Sequence, residues 1–147
     1  MKSAIIYISV HHQNTLKIAA AISDELAADL LQLSSVTSDK LEQYDLIGLG
    51  SGIFFGKHHE KLFELINGVN IKDKNVFVFS TSGTGSAKSN SALINALTSR
   101  DAKVEKNFSC KGYDTYGIFK WVGGISKGRP NNDDIEKARE FAHSLKK

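Results

Sequence analysis

Cysteine, long apolar runs, basic tracts and internal repeats are all scarce in this chain. Cys110 is the single cysteine among 147 residues, so no intramolecular disulfide can form and a metal site built on paired thiolates is excluded. No apolar stretch approaches the ~20 residues that a membrane-crossing helix needs. The N-terminal run ends in His11-His12-Gln13-Asn14 and not in a small-residue cleavage site, so a cytoplasmic chain with no membrane partner is expected. Without a long basic run or a nucleic-acid motif, nucleic acid is not an expected partner either. The chain has no repeat, linker or low-complexity segment, and its length suits one domain spanning 1–147.

What is present is an ordinary soluble composition, 41% apolar and 24% charged. The net charge is mild, +3 from 19 Lys and Arg against 16 Asp and Glu. Five apolar runs recur: Ala4 to Ile8, Asp29 to Leu33, Asp45 to Leu49, Asn75 to Phe79 and Lys103 to Cys110. Helical periodicity fills the intervals. Ile18, Ile22 and Leu26 fall one turn apart in Leu16 to Ala28, and further helices are predicted for His59 to Ile66, Ala87 to Ser99 and Asn132 to Leu145. The last follows Pro130 and is expected to carry Asp133, Asp134 and Glu136 in its first turn and Lys146 and Lys147 at its end, both matched to the helix dipole. The third and fourth strands show little polar alternation, as strands covered on both faces do. Alternation of strand and helix then implies an α/β fold, a doubly wound five-stranded parallel sheet.

Ligands of such sheets sit beyond the carboxyl ends of the strands. The loops expected there are Ser9 to Thr15, Ser51 to His59, Ser80 to Ser86 and Lys111 to Asn131. In the first, Ser9, Asn14 and Thr15 place side-chain donors around a helix N-terminus, where unbonded amides and the helix dipole favour a phosphate. In the second, Gly56 permits a positive φ or a peptide flip, and one of the adjacent rings Phe54 and Phe55 can cap a planar ligand. The third offers backbone and hydroxyl groups to a polar ring edge. The fourth carries Tyr113, Tyr116, Phe119 and Trp121 among five glycines, which suits a lid or a partner-docking segment. Lys57, Lys61, Lys111, Lys120 and Lys127 fall in or beside these loops and favour acidic partners.

Several chemistries fail on spacing. Ser80 to Ser89 comes close to a phosphate-binding P-loop, but Ser82 and Ala87 stand where its glycines belong, and Gly48-x-Gly50-x-Gly52 misses the dinucleotide fingerprint. No serine sits in a Gly-x-Ser-x-Gly elbow, and no acidic residues follow the first strand as a phosphoacceptor domain requires. The pairs His11-His12 and His58-His59 lack the thiolates of a metal site, neighbouring residues diverge in an extended loop, and no carboxylate stands beside the first pair. His11 or His12 is expected to line the phosphate turn, and His58 and His59 to cap the following helix or face solvent. Cys110 is expected as a small buried apolar residue at a strand end.

Taken together, Ser9-Val10-His11-His12-Gln13-Asn14-Thr15, Tyr44 to Ser51, Ser80-Thr81-Ser82-Gly83-Thr84-Gly85 and Gly128-Arg129-Pro130-Asn131 resemble the flavodoxin family over essentially the whole chain. The resemblance implies strand order 2-1-3-4-5 and a tightly held FMN. By position it assigns the FMN phosphate to Ser9, Asn14 and Thr15, with backbone amides from His11, His12 and Gln13. The flavin would lie against the second loop, Ser51, Gly52, Ile53, Phe54, Phe55 and Gly56, with Phe54 or Phe55 stacked on the ring. Gly56 would supply the peptide that flips when N5 is protonated in the semiquinone, and Ser80, Thr81, Ser82, Gly83 and Thr84 would meet the pyrimidine edge. The implied function is a low-potential electron carrier, cycling through semiquinone and hydroquinone between redox partner proteins. A quinone or flavin reductase of the same fold using NADH or NADPH is the alternative. Many family members have Gly where Gln13 stands, and flavodoxins are typically acidic around the flavin. Here Lys57, His58 and His59 suggest a positive setting that raises the second reduction potential.

Overall fold

Ile5 and Ile6 are both fully buried, although neighbouring residues of a strand point to opposite faces. The first strand must therefore be covered on two sides, and the structure, a computed structural model, shows how. It describes residues 1–9, 13–112 and 127–146. In chain order come β1 (Ser3–Ile8), α1 (Asn14–Leu26), β2 (Asp29–Gln32), α2 (Ser38–Glu42), β3 (Leu46–Phe54), β4 (Lys57–His58), α3 (Glu60–Gly68), β5 (Asn75–Ser82), α4 (Ser91–Thr98), β6 (Lys103–Lys111) and α5 (Asn132–Ser144). The parallel strands lie in the order β2-β1-β3-β5-β6, and the short β4 folds back antiparallel onto β3. Counted among parallel strands alone, this is the predicted order 2-1-3-4-5.

Two apolar layers sandwich the sheet. On one face Ile6, Ile47, Leu49, Val76 and Val78 meet Leu62 and Ile66 of α3 and Leu93 and Leu97 of α4. On the other, Ile5, Tyr7, Phe77 and Phe79 meet Ile18 and Ile22 of α1 and Ala138 and Ala142 of α5. Each fully buried side chain of this size contributes about 1.5–3 kcal/mol. Gly48 and Gly50 make the second layer possible. A Cβ on Gly48 would lie 2.3 Å from the Phe77 ring, and one on Gly50 would lie 2.2 Å from the Phe79 ring. The glycine spacing that fails as a nucleotide fingerprint thus serves packing, because each missing side chain on β3 is a slot for a ring of β5.

The strand ends depart from the sequence reading. β3 was expected to stop at Leu49 and β5 at Phe79, but the ladder continues through Gly50↔Phe79, Ser51↔Ser80 and Gly52↔Thr81. The loops expected at Ser51 to His59 and Ser80 to Ser86 are correspondingly shorter. Hydroxyl-bearing residues read as loop, yet here they extend a central strand because their polar atoms bond across it: Ser80 Oγ lies 3.1 Å from Ser109 Oγ. The α1 helix begins at Asn14, ahead of the expected Leu16, and the segment Ala87 to Ser99 divides into a 3₁₀ turn (Ala87–Asn90) and α4. The short α2, which periodicity did not reveal, starts where the Thr37 hydroxyl accepts from the Lys40 amide at 3.3 Å.

Candidate functional site

Helix α1 opens at the carboxyl edge of the sheet with no acidic residue in its first turn and no capping side chain from Gln13, which is left-handed at φ 57°. A helix start without a carboxylate or a cap is an electrostatic vacancy for an anion. Directly ahead of it, at the end of β1, the Ser9 hydroxyl is buried with no hydrogen-bond partner among the described residues. A buried hydroxyl left unpaired costs about 1–3 kcal/mol, and an anion at this point would accept its hydrogen bond. These two features meet the requirement for holding a phosphate. His11 and His12, assigned to the same turn, lie outside the described residues.

The other predicted loops converge on this point. Thr15 and Thr81 are both buried, and their hydroxyl oxygens lie 3.0 Å apart, tying the first turn of α1 to the end of β5. Asn14 is buried and packs against Gly112 just beyond β6, where a Cβ would come within 2.7 Å of the Asn14 amide nitrogen. The Gly112 N–H donates to Ser82 O at 2.9 Å and the Gly85 N–H donates to Ser82 Oγ at 2.9 Å. Ser80 is fully buried and turned into the sheet, while Thr84 is exposed on the loop beyond β5. The aromatic segment read as lid or docking element falls at residues 113–126, outside those described. Cys110 is buried at the penultimate position of β6, as expected, and burial pushes its thiol up to about 12.

The second predicted loop is a β-hairpin. Phe54 pairs with Lys57 across a two-residue turn, Phe55 and Gly56, whose φ angles are 52° and 83°. Positive φ at both central residues defines the type I′ turn that matches strand twist. An aromatic residue in this conformation is uncommon and costs of order 1–3 kcal/mol. The turn holds Phe55 out at 88% exposure, while Phe54 is half-buried, edge-on to His59 at 5.2 Å. Of the two rings, Phe55 is the one presented to solvent.

Two contacts pin the hairpin to the sheet, through the His59 amide and the His58 ring. Ser51, fully buried, donates to Gly52 O at 2.6 Å and accepts from the His59 N–H at 2.9 Å. His58 is buried beside Ile53, its partner across the ladder, and its Nε2–H donates to Phe79 O at 2.8 Å. That tautomer leaves Nδ1 an acceptor, buried and without a partner among the described residues. Burial drives the His58 pKa from 6.5 down to about 4, the bond to Phe79 opposing the shift, so the ring is neutral. The expectation that His58 faces solvent or caps a helix, and lends positive charge to the site, is overturned. His59 is the cap, its Nδ1 accepting from the Lys61 N–H at 3.1 Å at the start of α3. Sequence reading missed His58 because Phe-Gly is not one of the usual hairpin turn pairs. Placing the turn there would have put His58 on the inward face with Ile53.

No three His, Cys, Asp or Glu side chains among the described residues come together as metal ligands would. No helix among them is long and apolar enough to cross a membrane. A cavity of about 340 Å³ lies between the starts of β3, β5 and β6 and the end of α5, at the edge opposite the one where ligands of such sheets are held.

Comparison with known proteins agrees with this geometry. Residues 4–124 match the model of the flavodoxin domain. An uncharacterized protein of Methanocaldococcus jannaschii is 49% identical over 149 aligned positions, covering 100% of this chain and 99% of that one. Among solved structures, a flavodoxin from the domain Archaea superposes with a TM-score of 0.77 at 16% identity over 99% of this chain and 96% of its own. The oxidised Flavodoxin 2 from Bacillus cereus gives 0.74 at 21% identity over 99% and 97%. At such identities the two structures speak for the fold alone, whereas the family model spans most of the sequence: the chain belongs to the flavodoxin family.

Proposed function

We propose that this chain binds FMN at the carboxyl edge of its sheet and carries electrons between redox proteins. The observation that carries the reading is the buried Ser9 hydroxyl, without a partner among the described residues, at the mouth of a helix that supplies itself with neither acid nor cap. Ser9, Thr15 and the opening amides of α1 would hold the phosphate, with His11, His12, Gln13 and Asn14 completing the turn. The hairpin from Ser51, Gly52 and Ile53 to Phe54, Phe55 and Gly56 would flank the ring, with Phe55 over its face. The chain beyond β5, from Ser82 and Gly83 to Thr84, would meet the polar edge, with Ser80 and Thr81 shaping it from below. FMN supplies the redox chemistry when bound. The protein's part is to anchor, cover and electrostatically tune it, and no side chain has to act as an acid or base.

Titration of the purified chain with FMN and with riboflavin, followed by quenching of flavin fluorescence, tests the phosphate grip. FMN is expected to bind far more tightly. Ser9→Ala should weaken FMN by about ten- to a hundredfold, the loss of one hydrogen bond to a charged group, and leave riboflavin unchanged. Equal affinity for the two flavins would overturn the assignment. Anaerobic titration that resolves two separate one-electron steps supports a carrier. Rapid bleaching by NADH or NADPH alone would replace the carrier with a reductase.

A further inference from the structure

We propose that the cofactor edge of this chain is a docking surface for an acidic redox protein, an inference that rests on the carrier reading above. Exposed lysines crowd the loops and first helical turns of this edge: Lys17 in α1, Lys57 in the hairpin, Lys61 in α3, Lys88 ahead of α4, Lys111 at the end of β6 and Lys127 ahead of α5. Among the described residues of the same loops and turns, the exposed carboxylates are Glu60 and Asp133. Asp134 is taken up by Arg129, in a two-bonded pair at 2.5 and 2.6 Å. With Asp39 in the first turn of α2 counted as well, six exposed lysines face three exposed carboxylates, so this edge carries an excess as large as the net +3 of the whole chain. The molecule is electrically polarised, with its positive end where the cofactor would lie.

The type of cation points to a protein and not to a nucleic acid. All six cations are lysines. Of the arginines, Arg129 and Arg139 are paired with Asp134 and Asp24, and Arg100 follows α4 at the opposite edge. Phosphate backbones are gripped best by arginine forks, and Glu60 and Asp133 would repel them. Scattered lysines act instead as mobile point charges, which suits a brief contact of the small area typical of electron-transfer encounters. A partner with carboxylates around its own redox centre would be turned by this field so that the two centres face each other. Such steering accelerates association by roughly 10- to 10³-fold at low salt.

The test uses small redox probes of opposite charge. FMN-loaded protein, photoreduced without oxygen, is mixed in a stopped-flow instrument with ferricyanide or with tris(phenanthroline)cobalt(III). Salt is varied from about 0.01 M to about 1 M, over which the screening length shrinks from about 30 Å to about 3 Å. Oxidation by the anion should slow at least about tenfold across this range while oxidation by the cation quickens. Joint substitution Lys57→Glu, Lys61→Glu and Lys88→Glu should reverse both trends without altering the bound-flavin spectrum. Rates indifferent to salt, or the opposite trends in the unmodified protein, would overturn the proposal. A second arm needs no flavin. In ¹⁵N spectra of the cofactor-free chain, poly-L-glutamate should shift the amides around Lys57, Lys61, Lys88 and Lys111, and poly-L-lysine should not. Failure to bind FMN would defeat the carrier reading alone, since this arm still decides the surface. Shifts spread over the whole chain, or tighter binding of a single-stranded oligonucleotide than of polyglutamate at equal salt, would overturn the acidic-protein assignment.

Discussion

His58 carries a chemical consequence that its position in the sequence hides. Its ring is neutral in the fold, with a pKa near 4, and returns to about 6.5 when the chain unfolds. Between these values the unfolded state binds the additional proton, so stability rises with pH. The contribution is fully present above about pH 6.5 and is lost as pH falls toward about 4. The separation of the two pKa values corresponds to about 3 kcal/mol. Urea unfolding followed between about pH 7 and about pH 4 should therefore show a steep acid loss, and His58→Gln, whose amide can still donate to Phe79 O, should flatten it by that amount. An identical slope in the variant would show that another group is responsible. The residue types around the phosphate turn were legible because Ser, Asn and Thr before an apolar helix have a local chemical meaning. The burial of His58 was not, since it depends on a strand paired to β3 by a turn that lacks the usual Asn or Asp.

Strands β3 and β5 are matched across their length by absence and bulk, Gly48 to Phe77 and Gly50 to Phe79. Gly50→Ala should destabilise the protein by about 1–3 kcal/mol, the usual range for overpacking a core, and Phe79→Leu should relieve part of that in the double variant. Additive losses in thermal unfolding would mean that ring and slot do not interact. Periodicity found the long elements because their core positions recur regularly, as Ile18 and Ile22 do in α1. It failed at the strand ends, where Ser51, Ser80 and Thr81 are polar yet buried, with hydroxyls bonded across the sheet or to the neighbouring chain. Side-chain polarity signals a loop only when those atoms have no partner across the sheet. The short α2 escaped notice because its five residues are too few to show a repeat.

For the molecule in its entirety, the lysines of the carboxyl edge set a field that a bound anion would feel. Of the residues expected from sequence to make that setting positive, Lys57 is exposed at the edge, whereas His58 is buried and neutral. In FMN-loaded protein the second reduction potential should become more negative as salt is raised, because screening withdraws stabilisation from the more negatively charged state. Spectroelectrochemical titration at two ionic strengths reads this directly, and a potential that rises with salt would contradict a positive setting. The doubly wound parallel class was legible because alternation of strand and helix admits few windings, while the strand order came only with the family resemblance. The charge polarity was legible in part: Lys57, Lys61, Lys111 and Lys127 already read as residues in or beside these loops, while Lys17 and Lys88 join them only because α1 and the 3₁₀ turn Ala87–Asn90 start at the same edge.

The hairpin's anchoring has a last consequence for how the protein can move. With Ser51 holding the His59 amide and His58 bolted to Phe79, both legs of the hairpin are fixed to the sheet. The peptide between Phe55 and Gly56 lies between these legs, and beyond its chain neighbours no described residue comes within 4 Å of where a Gly56 side chain would begin. A flip of that one amide plane would leave both anchored legs in place, so the scaffold around the turn would not have to reorganise with it.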